Sequence, residues 1–126
     1  MSLHRIRLPA PWLTIRRQLP DGCEINFQRS FQRPTGLADE SRIAVELELL
    51  EPLSFSVLFN SATCFVHQSG ELRFEALLDT SQLQPTNKLD VVFRLQSAFD
   101  LERMPQTDTE LSLGRHYLKS VGLRIE

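Results

Sequence analysis

From Arg42 to Gln96 the chain alternates apolar and polar residues with a period of two, in run after run. Ile43, Val45, Leu47 and Leu49 fall on one face, with Ala44, Glu46 and Glu48 on the other. Leu53, Phe55, Val57 and Phe59 are set against Ser54, Ser56 and Asn60, and Leu72, Phe74, Ala76 and Leu78 against Arg73 and Glu75. Leu89, Val91, Phe93 and Leu95 alternate with Asp90, Arg94 and Gln96. Successive side chains of an extended strand point to opposite faces, so this pattern predicts strands with one buried and one wet face, not helices. Ile25, Phe27 and Phe31 against Glu24, Asn26 and Gln32 form a further strand, and Val121, Leu123 and Ile125 close the chain with another. Pro9 and Pro11 break the run from Leu3 to Leu19, which therefore reads as two short edge segments.

The punctuation between the runs agrees. Pro20-Asp21-Gly22 is a turn signal, and Ser69-Gly70 is placed like a hairpin tip. Pro34-Thr35-Gly36 opens a loop that ends near Ser41, and Glu51-Pro52 separates two strands expected to run nearly end to end. Thr80 to Asn87 and Pro105 to Glu110 are polar connections, the second expected to be flexible. The stretch from Ser97 to Met104 reads as a short strand or turn. Eight or nine short strands at roughly ten-residue spacing predict an all-β sandwich of the jelly-roll type, its two inner faces about 10 Å apart.

The chain has 126 residues, enough for one domain spanning 1–126 and too few for a second core. Hydrophobic residues at 41% and charged residues at 24% are a normal globular balance and argue against a disordered chain. A net charge of −2 argues against nucleic acid as a partner, and the local basic cluster of His4, Arg5, Arg7, Arg16 and Arg17 is read as solvated strand faces. No run approaches the roughly 20 apolar residues that span a bilayer, so no membrane association is expected. The start, Met1-Ser2-Leu3-His4-Arg5, has no apolar core of a secretory signal, and cytoplasmic residence is the expectation. Cys23 and Cys64 lack metal-ligand spacing and read as small buried hydrophobes.

No catalytic constellation emerges. Glu46 with Glu48, and Glu71 with Glu75, are acid pairs of the kind that glycoside hydrolysis needs, but wet strand faces carry such acids for solubility. Cys64 and His67, three residues apart on an expected strand, fall on opposite faces. His4, His67 and His116 are scattered, and the five glycines form no phosphate loop, so neither metal nor cofactor is expected. Arg29 shares the parity of the inward Ile25, Phe27 and Phe31. A buried guanidinium needs partners, so Arg29 is either structural, with Glu46, Glu48 or Asp79 to pair it, or the floor of a site. A one-residue bulge at Gln28 would instead carry it to the surface. Trp12, Tyr117 and Phe65 are the aromatics outside the inward pattern. Each is a candidate sugar platform, although Trp12, between Pro11 and Leu13, would equally plug the end of the sandwich.

Several short segments follow one another in a recognisable order. Phe27-Gln28-Arg29-Ser30-Phe31-Gln32-Arg33-Pro34 leads to the strand from Ile43 to Leu49, then Ser56-Val57-Leu58-Phe59-Asn60-Ser61. Phe74 to Leu78 is followed by Pro85-Thr86-Asn87-Lys88-Leu89-Asp90-Val91 and by Leu118-Lys119-Ser120-Val121-Gly122-Leu123. This order resembles the amino-terminal sugar-binding domain of family 2 glycoside hydrolases, of the galactose-binding-domain-like superfamily, over about four fifths of the chain. Ser61 stands where the family has glycine, and Leu118 where it often has tryptophan. The resemblance implies a galactose-binding-like jelly roll and a non-catalytic carbohydrate-binding or carbohydrate-related accessory module, since the family's catalytic acid and nucleophile lie in a separate barrel domain. The candidate ligand-binding residues are Trp12, Tyr117, Arg29 and Asn60. The alternative is a protein-interaction or scaffolding sandwich that has lost sugar binding. A concave sheet face with Trp or Tyr and unsatisfied amides favours the first, and an apolar patch or a long unpaired edge favours the second.

Overall fold

The alternating runs are strands. The computed structural model describes residues 4–8, 12–20, 22–37, 41–95 and 118–126, which form a jelly-roll-like β-sandwich of two antiparallel sheets. Ten strands lie among the described residues: β1 (His4–Arg7), β2 (Leu13–Leu19), β3 (Gly22–Gln32), β4 (Ile43–Leu49), β5 (Phe55–Phe59), β6 (Ala62–Thr63), β7 (Val66–Gln68), β8 (Arg73–Leu78), β9 (Thr86–Leu95) and β10 (Leu118–Ile125). Sheet I has the order β1-β10-β4-β8-β7, and sheet II the order β2-β3-β9-β5-β6. The expected count of eight or nine is exceeded because the chain leaves sheet II after β6 and re-enters sheet I at β7, with Cys64 and Phe65 between them.

Among the described strands, β2–β3, β5–β6 and β7–β8 stay within a sheet, and the other successive strands lie in opposite sheets. The segment around Glu51-Pro52 is one such step. β4 and β5 do not run end to end, as the sequence led us to expect, but belong to opposite layers. The two turn expectations hold: Leu19 pairs with Gly22 across the β2–β3 connection, and Ser69 N and Gly70 N both donate to Arg73 O at the β7–β8 tip.

The inward parity read from the sequence is the core. Ile25, Phe27, Val45, Val57, Leu89, Val91 and Phe93 are fully buried, and Ile43, Leu47, Leu49, Phe59 and Leu123 nearly so. Burying each such side chain stabilises the fold by roughly 1.5–3 kcal/mol. Phe55 bridges the layers: its ring meets Phe74 of sheet I edge-on at 4.9 Å and Phe93 of its own sheet at 5.9 Å. Within sheet I, β1 and β10 approach closely at Gly122, where a Cβ would lie 2.9 Å from the Ile6 carbonyl.

Among the described residues two polar ones are also buried, Asn87 and Asp90. The sequence placed Asp90 on the wet face of β9. Its parity is outward as expected, yet only 4% of it is exposed, which directs attention to the outer face of sheet II.

Candidate functional site

The registers of β2, β3, β9 and β5 set out the outer face of sheet II in rows. Leu13 pairs with Gln28, Gln28 with Asp90, and Asp90 with Leu58. One step along, Ile15 pairs with Asn26, Asn26 with Val92, and Val92 with Ser56. Asp90 thus stands on a central strand with two amides beside it. Asn26 Nδ2 donates to Asp90 Oδ1 at 3.0 Å, and Gln28 Nε2 donates to the same oxygen at 2.8 Å. A carboxylate oxygen accepts, so each amide turns its nitrogen toward Asp90 and its oxygen away. The consequence is an acceptor in deficit: Asn26 Oδ1 is buried and has no hydrogen-bond partner among the described residues.

A cleft of about 600 Å³ lies over this cluster, bordered by Asn26, Gln28, Lys88, Asp90, Val92 and Arg94. Phe55 is the one aromatic residue along its described lining, and its ring is engaged in the core. A second cleft of about 420 Å³ is lined by Leu13, Gln28, Arg29 and Ser30, so Gln28 borders both.

The outer face of sheet I is a ladder of ion pairs. Arg124 of β10 donates to both oxygens of Glu75 on β8, and its Nη1 also lies 3.5 Å from Glu46 Oε2 on β4. Arg5 Nε reaches Glu46 Oε1 at 3.0 Å, and His67 Nε2 lies 3.1 Å from Glu75 Oε2. Glu48 is shared by Arg73 at 3.6 Å and Lys119 at 3.9 Å. The hydrogen bond from Arg124, joined by the nearby charges of Arg124 and His67, holds the Glu75 carboxyl below its ordinary range. The acids that a hydrolytic reading would pair are here interleaved with cations across the strands. Cys64 lies between strands rather than on one, half-buried, and burial pushes its thiol up. Among the described residues no cluster of His, Cys, Asp and Glu is arranged to hold a metal, and no helix is long and apolar enough to cross a membrane.

The four residues proposed from sequence separate. Trp12 is fully buried in the core and its Nε1 donates to the Leu8 carbonyl at 3.1 Å. That corrects its reading as an exposed platform: the ring plugs the sandwich, and its polar edge is satisfied by the chain. Asn60 heads the β5–β6 turn with φ at 50°. Its Nδ2 donates to Gln82 O at 2.9 Å and Asn87 Oδ1 at 3.0 Å, and its Oδ1 accepts from Lys88 N at 2.8 Å. The amide therefore clamps the turn to the start of β9. Tyr117 lies outside the described residues, as do the Cys23 side chain, the stretch from Ser97 to Met104 and the loop from Pro105 to Glu110.

Arg29 keeps its inward parity, because β3 and β9 pair without a break from Cys23↔Leu95 to Gln32↔Thr86 and no bulge intervenes at Gln28. The three carboxylates considered as its partners are engaged elsewhere: Glu46 with Arg5 and Arg124, Glu48 with Arg73 and Lys119, and Asp79 with Ser81. Phe65 is 72% exposed, opposite the half-exposed Leu77, on the edge of sheet I and away from the clefts.

Sequence reasoning missed Asn26, Gln28 and Asp90. The available signal was an aspartate in the middle of a central strand, where that residue is depleted. The amides at Asn26 and Gln28 share one face of the neighbouring strand.

No protein-family profile matches the chain, and no curated protein matches it in sequence. In fold it is similar to the crystal structure of an FMN-binding beta-glucuronidase from Facaelibacterium prausnitzii L2-6, with a TM-score of 0.65 at 17% identity. The likeness covers 98% of this chain and 22% of the glucuronidase, so the chain spans about a fifth of that protein's length.

Proposed function

We propose that this chain is a non-catalytic carbohydrate-binding accessory module that takes up its ligand on the outer face of sheet II. The observation that carries the reading is the polar cluster under the larger cleft. Asn26 Oδ1 is a buried acceptor without a donor among the described residues, beside a carboxylate that two amides already hold in place. Leaving such a group unmade costs about 1–3 kcal/mol, and a ligand hydroxyl entering the cleft supplies the missing donor. A sugar hydroxyl donates and accepts at once, which suits a surface where carboxylate and amide oxygens stand beside Lys88 and Arg94. Val92 and Leu58 offer aliphatic surface to the C–H face of a ring in place of an aromatic platform. The fold shared with part of a glucuronidase is compatible with an accessory role, although fold does not fix function.

The test is a broad glycan array probed with the folded domain and its Asn26→Ala and Gln28→Ala variants. Saturable binding by the parent, weakened tenfold or more in the variants, is expected. A folded parent that binds no glycan would overturn the reading.

One observation favours the second reading, a protein-interaction sandwich. β2 is a seven-residue strand at the edge of sheet II, and Leu13 and Ile15 on it are exposed. Such an edge accepts an added strand from a partner. Ile15→Lys separates the readings: it weakens strand addition at this edge and leaves the residues lining both clefts untouched.

A further inference from the structure

We infer that the saccharide is acidic and that Arg29 receives its carboxylate, an inference that rests on the carbohydrate reading above. β2 begins at Leu13, opposite Gln28, so from Arg29 onward β3 has no described strand on that side. The half-buried Arg29 reaches the smaller cleft through this gap. Its Nε and Nη1 are buried and have no hydrogen-bond partner among the described residues. Guanidinium nitrogens withdrawn from water without a partner are unfavourable, and the planar fork matches the two oxygens of a carboxylate better than a single hydroxyl.

The neighbouring charges orient the ligand. The larger cleft sets Asp90 and Glu24 against Lys88 and Arg94, so its charges balance, while Arg29 is the one charged residue along the described lining of the smaller cleft, with Ser30 beside it to accept a carboxylate. Gln28 borders both clefts, so a chain of at least two sugar units can place its acid group at Arg29 and its neutral hydroxyls at Asn26 and Asp90. A neutral saccharide satisfies the second contact and leaves the guanidinium unpaired. Discrimination follows from that unpaired charge rather than from any added contact.

The experiment uses an array on which each uronate-bearing oligosaccharide sits beside its methyl-esterified counterpart, with acidic peptides as a further set. The domain is expected to bind the acid at least tenfold more tightly than the ester. Arg29→Gln should remove that preference, and Arg29→Lys, a point charge without the fork, should retain only part of it. Equal binding of acid and ester by the parent overturns the assignment of Arg29 and leaves the carbohydrate reading standing. That comparison needs no variant to fold. Binding of acidic peptides with no saccharide bound overturns both.

Discussion

At the scale of single residues, the groups whose hydrogen bonding is complete separate from those whose hydrogen bonding is not. Asn60 is complete: four hydrogen bonds, three from its amide and one from its backbone N–H to Lys88 O, tie a tight turn to β9. Asn60→Ala leaves the buried Asn87 and the Lys88 N–H short of partners, and a loss of roughly 2 kcal/mol is expected in urea unfolding. A loss below a few tenths would mean that the clamp is ornamental. Arg29 is the opposite case. Its Nε and Nη1 are buried with no partner among the described residues, so Arg29→Met should raise unfolding stability by about 1–2 kcal/mol while abolishing preference for acidic ligands. Destabilisation on that substitution would show that Arg29 is held by contacts the fold depends on.

At the scale of elements, the β5–β6 turn has two left-handed residues, Asn60 with φ at 50° and Ser61 with φ at 72°. Asparagine tolerates that region and serine is strained in it, whereas glycine occupies it freely. Relief of about 1–2 kcal/mol of strain outweighs the greater freedom of glycine in the unfolded chain, so Ser61→Gly should stabilise by roughly 0.5–1 kcal/mol, read as a rise in Tm. The same elements show what the sequence could and could not convey. Strand parity was legible because burial of one face imposes a period of two on Ile43 to Leu49 and Leu89 to Leu95 alike. The sheet to which each strand belongs was not, since Pro52 marks a break without saying whether the chain turns or changes layer. The Asn26–Gln28–Asp90 cluster was hidden for a related reason. Its members lie up to 64 positions apart and meet only through the β3–β9 register. Arg29 was legible, because parity alone placed it inward.

At the scale of the whole molecule, the two outer faces carry different chemistry. Sheet I presents charges already paired with one another, while sheet II presents two adjoining clefts, one with the buried acceptor of Asn26 and the other with Nε and Nη1 of Arg29, which have no partner among the described residues. The paired face sets a pH dependence. Glu75 has a folded-state pKa below its ordinary value of 4.5, so the unfolded chain binds that proton more readily. Its contribution is therefore fully present above about 4.5 and is lost as pH falls through the lower folded value. Thermal melts on acidification should show this loss, and Glu75→Gln should flatten it while lowering stability at neutral pH by about 1 kcal/mol or less. The open face is where function is assigned. Titration of the isotope-labelled domain with pooled neutral and acidic oligosaccharides, followed through its side-chain amide resonances, tests that assignment most directly. The account predicts saturable shifts at Asn26 and Gln28 with Asn60 and Asn87 nearly still. Shifts confined to the β7–β8 edge around Phe65, or no shifts at all, would contradict it.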